Sequence, residues 1–295
     1  MTSTSDFSGV KALFFDVFGT VVDWRRSVTR ELHTASTASL NSSSSDIPQS
    51  VRTKAESTDW AAFAAAWRQT YYAFTRSVAA SSSDDGTIEK PYKTVDEHHY
   101  DSLVELLEDW GLKGLWTDAE VRNMSLVWHR LDPWKDSCEG IRALNKHFVT
   151  STLSNGNVKL LEDMAEYAHL DWTNVFSSEM FKSYVSYLLD ERSKSTSAMT
   201  FVLIRNRYKP NPKVYLGAAA KLELEPEQCG MVAAHLSDLE AASRCGFRTI
   251  YVERSQEEAW DDEKVAKTKQ EGWVDVWVTM SENGFLTAAE RMSSK

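Results

Sequence analysis

Three cysteines in 295 residues, Cys138, Cys229 and Cys245, are too few and too widely spaced for a disulfide framework. No CxxC pair offers a zinc site, so reduced thiols in an intracellular protein are expected. No apolar run approaches the roughly 18 residues of a membrane span. The opening MTSTSDFSGVK lacks the basic-then-apolar layout of a secretory signal, and a frayed Ser/Thr-rich tail in a cytoplasmic protein is expected instead. Positive charge is also short: 33 Lys and Arg against 43 Asp and Glu leave a net charge of −10. That balance disfavours broad binding to nucleic acid or to an anionic membrane. What is present is ordinary for a globular protein, 42% hydrophobic and 26% charged, and long enough for one large domain or two modest ones.

Short apolar runs at 10–15, 147–153, 230–234, 249–252 and 274–279 read as buried strands. Helical patterns lie between several of them, at 157–169 and 212–222, the second announced by proline in its first turn. This alternation predicts an α/β fold built on a parallel sheet. Residues 25–136 differ, being nearly strand-free with amphipathic helical patterns at 60–78 and 97–110. They read as a helical domain, 25–136, inserted after the first strand, leaving 1–24 and 137–295 for the sheet domain. Two serine-rich stretches, 34–45 and 79–86, are expected to be loops. The segment 185–208 fits poorly: its removal joins EMFKSY to KPNPKVY at ordinary loop length. It reads either as translated intron sequence or as a genuine surface insertion in the core.

Ligands of open α/β sheets bind beyond the carboxyl ends of the strands. Asp16 ends the first strand, Ser154 and Asn155 follow the second, and Asp238 closely follows the third, while Lys209 precedes a helix. In sequence order DVFGTVVDW, LSNGN, YKPNPKVY and VAAHLSDLEAA resemble the four motifs of the haloacid dehalogenase superfamily. The nearest likeness is to its metal-independent type II branch, the L-2-haloacid dehalogenases, whose fold is a Rossmann-like core with a helical cap. The superfamily's phosphatases carry an acid where this chain has Phe18, and a metal-ligating acid where it has Ala233. A hard cation and a phosphate leaving group both lose a carboxylate thereby, whereas a halide needs no proton to leave.

The resemblance implies that Asp16 displaces halide from a small 2-haloacid and forms an enzyme ester, which water then hydrolyses to the 2-hydroxy acid. Lys209 would hold Asp16 ionised, and Thr20 with nearby amides would bind its carboxylate. Ser154 corresponds to a substrate-carboxylate contact, Asn155 to a halide contact, and Tyr215 to a tyrosine supporting the lysine. In AAAWRQTYYAF, Arg68 matches the cap arginine that receives the halide, with Trp67, Gln69 and Tyr71 beside it. Asp238 would orient Lys209 and the hydrolytic water. His235 stands where the family has asparagine, as a hydrogen-bonding group or a general base. Ser237 replaces an aromatic, so a widened pocket is expected. No cofactor and no metal are expected, and a homodimer is an expectation of the family alone. A magnesium-dependent phosphatase and a non-catalytic binding protein are the alternatives.

Overall fold

A computed structural model describes residues 7–42, 46–81, 93–181, 183–187, 201–205 and 208–293. The expected N-terminal tail at 1–6 lies outside them. Five strands form one parallel sheet: β1 (Ala12–Phe15), β2 (Val149–Thr152), β5 (Cys229–Ala233), β6 (Arg248–Val252) and β7 (Val276–Val278). Their order is β2-β1-β5-β6-β7. β1 is buried on both faces, as a continuous apolar run requires. Its residues alternate between two cores. Leu13 and Phe15 pack with helices α6 (Ser137–Leu144), α7 (Val158–Tyr167) and α11 (Phe285–Ser293). Ala12 and Phe14 pack with α8 (Pro212–Lys221) and α9 (Leu236–Arg244). Between β6 and β7 runs α10 (Asp262–Glu271). Phe15 lies opposite both Thr152 and Val232, so three strands end together at Asp16, Leu153 and Ala233. The chain runs from β1 to one neighbour and later crosses to the other, which opens the switch-point crevice beside Asp16.

After β1 the backbone turns at Gly19, whose φ of 84° lies in the left-handed region. It then enters α1 (Trp24–Asn41), α2 (Gln49–Glu56), α3 (Trp60–Ser81), α4 (Val95–Asp109) and α5 (Asp118–Ser125). Thr94 with Glu97 and Thr117 with Glu120 form capping boxes that start α4 and α5. The return is pinned where the departure occurs: Asp23 N–H donates to Asp132 O, and Ser137 Oγ to Val21 O.

The serine-rich stretch 34–45 corrects the expectation of a loop, because α1 continues through Asn41. Trp24, Val28, Leu32 and Ser36 are all buried at four-residue spacing, and burial of that stripe outweighs the indifferent propensity of Ser and Thr. The second stretch likewise opens inside α3, to Ser81, and its remainder lies outside the described residues. At the misfit segment, β3 (Ser183–Tyr187) pairs antiparallel with β4 (Phe201–Arg205), Ser183 opposite Arg205. The chain therefore leaves and re-enters the core at adjacent points; 188–200 and 206–207 lie outside the described residues. No described helix is long and apolar enough to cross a membrane.

Candidate active site

Asp16 is held from three directions. Lys209 Nζ donates to Oδ1 at 3.0 Å, and Thr20 Oγ1 donates to Oδ2 at 2.9 Å. His235 Nδ1 lies 3.0 Å from the same Oδ2. Thr20 is fixed in turn, since its hydroxyl accepts the Ala234 N–H at 2.9 Å. Lys209, 9% exposed, also contacts Asp238 Oδ2 at 2.5 Å, and the buried Tyr215 hydroxyl donates to Asp238 Oδ1 at 2.5 Å. Burial by itself would raise the Asp16 carboxyl, but Lys209 and His235 outweigh it and hold the group well below the ordinary carboxylate range. Burial disfavours the Lys209 charge, yet Asp16 and Asp238 together raise its pKa. Burial and the Asp238 charge both push the Tyr215 phenol up, so it stays a proton donor.

Asn155 takes a part that its position after a strand does not announce. Its Oδ1 accepts from Lys209 N–H at 2.8 Å and from Ser178 Oγ at 2.7 Å, and its Nδ2 donates to Lys209 O at 3.2 Å. The amide thus clamps the backbone of the lysine, so a halide contact would share the group that aims Lys209. Ser154 is buried, and its hydroxyl accepts from Gly156 N–H at 3.4 Å.

The opposite wall comes from the cap. Arg68 is 3% exposed, and its guanidinium carbon lies 4.5 Å from the Tyr71 ring centroid, 4.6 Å from Tyr72 and 4.9 Å from Phe18. Trp24 and Trp128 complete the cage at 5.5 and 5.8 Å. Such stacking favours a desolvated cation. Its Nε and Nη1 are buried without a hydrogen-bond partner among the described residues. Buried donors of this kind are normally satisfied, so these two point to an absent acceptor. Tyr71 senses both ends of the site, the Arg68 and Asp16 charges, while burial raises its phenol. Of the other residues beside Arg68, Trp67 belongs to the cap core, donating to His99 O at 3.2 Å, and Gln69 is exposed.

The last motif departs from expectation at two points. Ser237 is exposed on α9 while the arginine cage is buried, so the expected widening has no footing there. Glu257, which sequence reading missed, also reaches the site beside His235. A Cβ on Gly19 would meet its Oε2 at 2.0 Å, and Trp24 Nε1 donates to that oxygen at 3.1 Å. His235 Nε2 lies 3.4 Å from the same oxygen, a charge contact without hydrogen-bond alignment. Burial disfavours the imidazolium, but the hydrogen bond to Asp16 and the nearby Glu257 carboxylate raise its pKa well above the ordinary histidine value. The available signal was position: Glu257 follows β6 as Asp16 follows β1.

A family profile described as haloacid dehalogenase-like hydrolase matches residues 10–246. The chain is similar to (S)-2-haloacid dehalogenase 1 of Pseudomonas sp. (strain CBS-3), 24% identical over 248 residues, 83% of this chain and 85% of the relative. Among solved structures it is similar to a defluorinating L-2-haloacid dehalogenase: 27% identity, TM-score 0.68, 97% of this chain and 96% of the other. An L-2-haloacid dehalogenase from Xanthobacter autotrophicus with chloropropionic acid covalently bound has the same fold, at 16% identity and TM-score 0.62, over 95% of this chain and 97% of the other.

Proposed function

The chain belongs to the haloacid dehalogenase-like hydrolases, and we propose that it hydrolyses (S)-2-haloacids to 2-hydroxy acids through an ester on Asp16, without a metal. The observation that carries the reading is the pairing of an ionised, lysine-held carboxylate with a caged arginine whose Nε and Nη1 have no hydrogen-bond partner among the described residues. Asp16 attacks the halogen-bearing carbon from behind as the carbon–halogen bond breaks. Arg68 receives the departing halide; its donors and positive charge match an anion that forms only as the bond breaks. Ser154 contacts the substrate carboxylate, and the Thr20 hydroxyl steadies the nucleophile. Asp238 and Tyr215 keep Lys209 in place, and Asn155 fixes its backbone.

A divalent cation does not fit this constellation. Asp16 Oδ1 faces the Lys209 ammonium and Oδ2 faces His235, while Phe18 and Ala233 supply no side-chain carboxylate where phosphatase relatives carry acids. The reading includes a core of 1–24 and 137–295, a cap of 25–136, a cytoplasmic location and a homodimer.

Halide release from (S)-2-chloropropionate in the presence of EDTA is the test. It is expected in the wild type and lost by roughly 10⁴-fold or more in Asp16→Asn, as on removal of a nucleophile. Magnesium-dependent phosphate release from p-nitrophenyl phosphate would favour a phosphatase. Neither activity, across a panel of 2-haloacids and phosphate esters, would favour a binding protein.

A further inference from the structure

We propose that His235 and Glu257 together run the hydrolytic half of the reaction: His235 takes the proton of the attacking water, and Glu257 is the positioning residue that aims its imidazole at Asp16. This rests on the ester pathway proposed above.

Asp238 is poorly placed for the task, because each of its oxygens already accepts a hydrogen bond, from Lys209 and from Tyr215. His235 is the remaining base in contact with Asp16. One ring nitrogen faces the nucleophile at 3.0 Å and the other faces Glu257 at 3.4 Å, giving a carboxylate–imidazole–carboxylate row. Glu257 is 7% exposed, and a carboxylate is costly to bury unless it is partnered. Its position is nevertheless built in. Trp24, the first residue of α1, donates to it, and Gly19 leaves room for it. Its loop is anchored on both sides: Arg254 Nε donates to Thr20 O at 3.0 Å while its guanidinium grips both Asp136 oxygens, and Glu258 accepts from Leu236 N–H at 2.8 Å. A second carboxylate behind a histidine fixes which ring nitrogen bears the proton and strengthens it as a base.

In the resting site His235 is an imidazolium paired with the Asp16 carboxylate. The titratable groups facing it are Asp16, Glu257 and Tyr72, and Arg68 lies in the field of Glu257. Once Asp16 is esterified its charge is gone, and the imidazolium loses a principal support. Its proton departs with the halide. Neutral His235, with Nε2–H facing Glu257, then takes a proton from water at Nδ1 as the water oxygen bonds to the Asp16 carboxyl carbon. The bond from that carbon to the substrate-bearing oxygen breaks, and the alkoxide recovers the proton from Nδ1, giving the 2-hydroxy acid. The second water proton, left on the Asp16 carboxyl, passes to Nδ1 and restores the resting pair. The sum is haloacid plus water to hydroxy acid, halide and one proton.

The test is rapid mixing of the full-length protein with (S)-2-chloropropionate, following chloride release and the esterified protein by intact-mass spectrometry. Glu257→Gln is expected to release one chloride per site at the wild-type rate. Its ester should then decay roughly 10- to 100-fold more slowly, the loss typical when a histidine's orienting partner is removed. Glu257→Asp should recover part of the decay rate, and His235→Gln should accumulate the ester further. A Glu257→Gln ester that decays at the wild-type rate overturns the proposal. So does a variant whose burst and decay fall together, because that marks a purely structural role. If Glu257→Gln does not fold, His235→Gln decides alone: accumulation of its ester supports the proposal and its absence overturns it. No chloride from the wild type, with any 2-haloacid, overturns the ester reading and this inference together.

Discussion

Lys209 lies between the Asp16 and Asp238 carboxylates, whereas Arg68, buried even more fully, forms no ion pair among the described residues and sits among aromatic rings. Both cations have paid a desolvation cost, but they recover it differently. Lys209 recovers it in the folded protein, through two charged contacts reinforced by Tyr215 and by the Asn155 clamp on its backbone. Arg68 recovers only part of it, through ring faces, and its Nε and Nη1 have no hydrogen-bond partner among the described residues. The sheet side of the site is thus arranged around an anion that belongs to the protein. On the proposed mechanism, the side formed by Arg68 is arranged around one that arrives and leaves.

Lys209→Met breaks the comparison at its strongest point. It leaves two buried carboxylates without their cation, and a loss of about 3–5 kcal/mol in unfolding free energy is expected by chemical denaturation. Arg68→Met should behave oppositely. Halide release should fall roughly 10²- to 10³-fold, the loss expected when a donor to developing negative charge is removed, while stability falls less than in Lys209→Met because Arg68 forms no ion pair among the described residues. Equal destabilisation by the two changes would remove the distinction between resident and transient anion. Tyr215→Phe deletes one hydrogen bond to the Asp238 carboxylate, and a loss of about 1.5–3 kcal/mol is expected in the same measurement.

The smallest effect concerns a satisfied histidine away from the site. His129 Nδ1 lies 2.8 Å from Asp163 and its Nε2 lies 3.1 Å from Asp96, so it ties α4 in the cap to α7 in the core. Burial opposes its charge, but hydrogen bonds to Asp96 and Asp163 raise its pKa. A raised folded-state pKa means that its stabilisation is complete below the unfolded histidine value of about 6.5 and fades as pH rises through the folded value. His129→Gln should therefore destabilise the protein at low pH and matter progressively less above neutrality. A pH-independent effect in urea titrations would exclude this charge linkage.

Much of the sheet was legible because buried strands read as short apolar runs, and each of the five begins or ends within two residues of the expected run. The cap helices were legible where the apolar stripe was strong, as in α3 and α4. The reading failed at 34–41, where small polar residues masked a stripe that only the position of α3 makes buried. In the site, Asp16, Lys209, Thr20, Asp238, Tyr215 and His235 come together as expected for proximity. Asn155 converges too, but on the lysine backbone. Glu257 was not legible because ERSQEE looks like an exposed charged loop, and only its anchoring by Arg254 and Glu258 turns one of its acids inward.

The sequence alone determined which chemical groups the site could contain. An acid missing at Phe18 and at Ala233 is missing in any fold, so the narrowing towards a metal-free displacement needed no coordinates. Tertiary structure decided which of the groups present would pair. Asp16 meets Lys209 across 193 residues and His235 across 219, and hydrogen bonding between them depends on ångström distances that chain order does not encode. Composition sets the inventory of donors, acceptors and charges. The assignment of each to a partner comes from long-range packing, because burial makes an unpaired polar group costly and leaves few arrangements that satisfy them all.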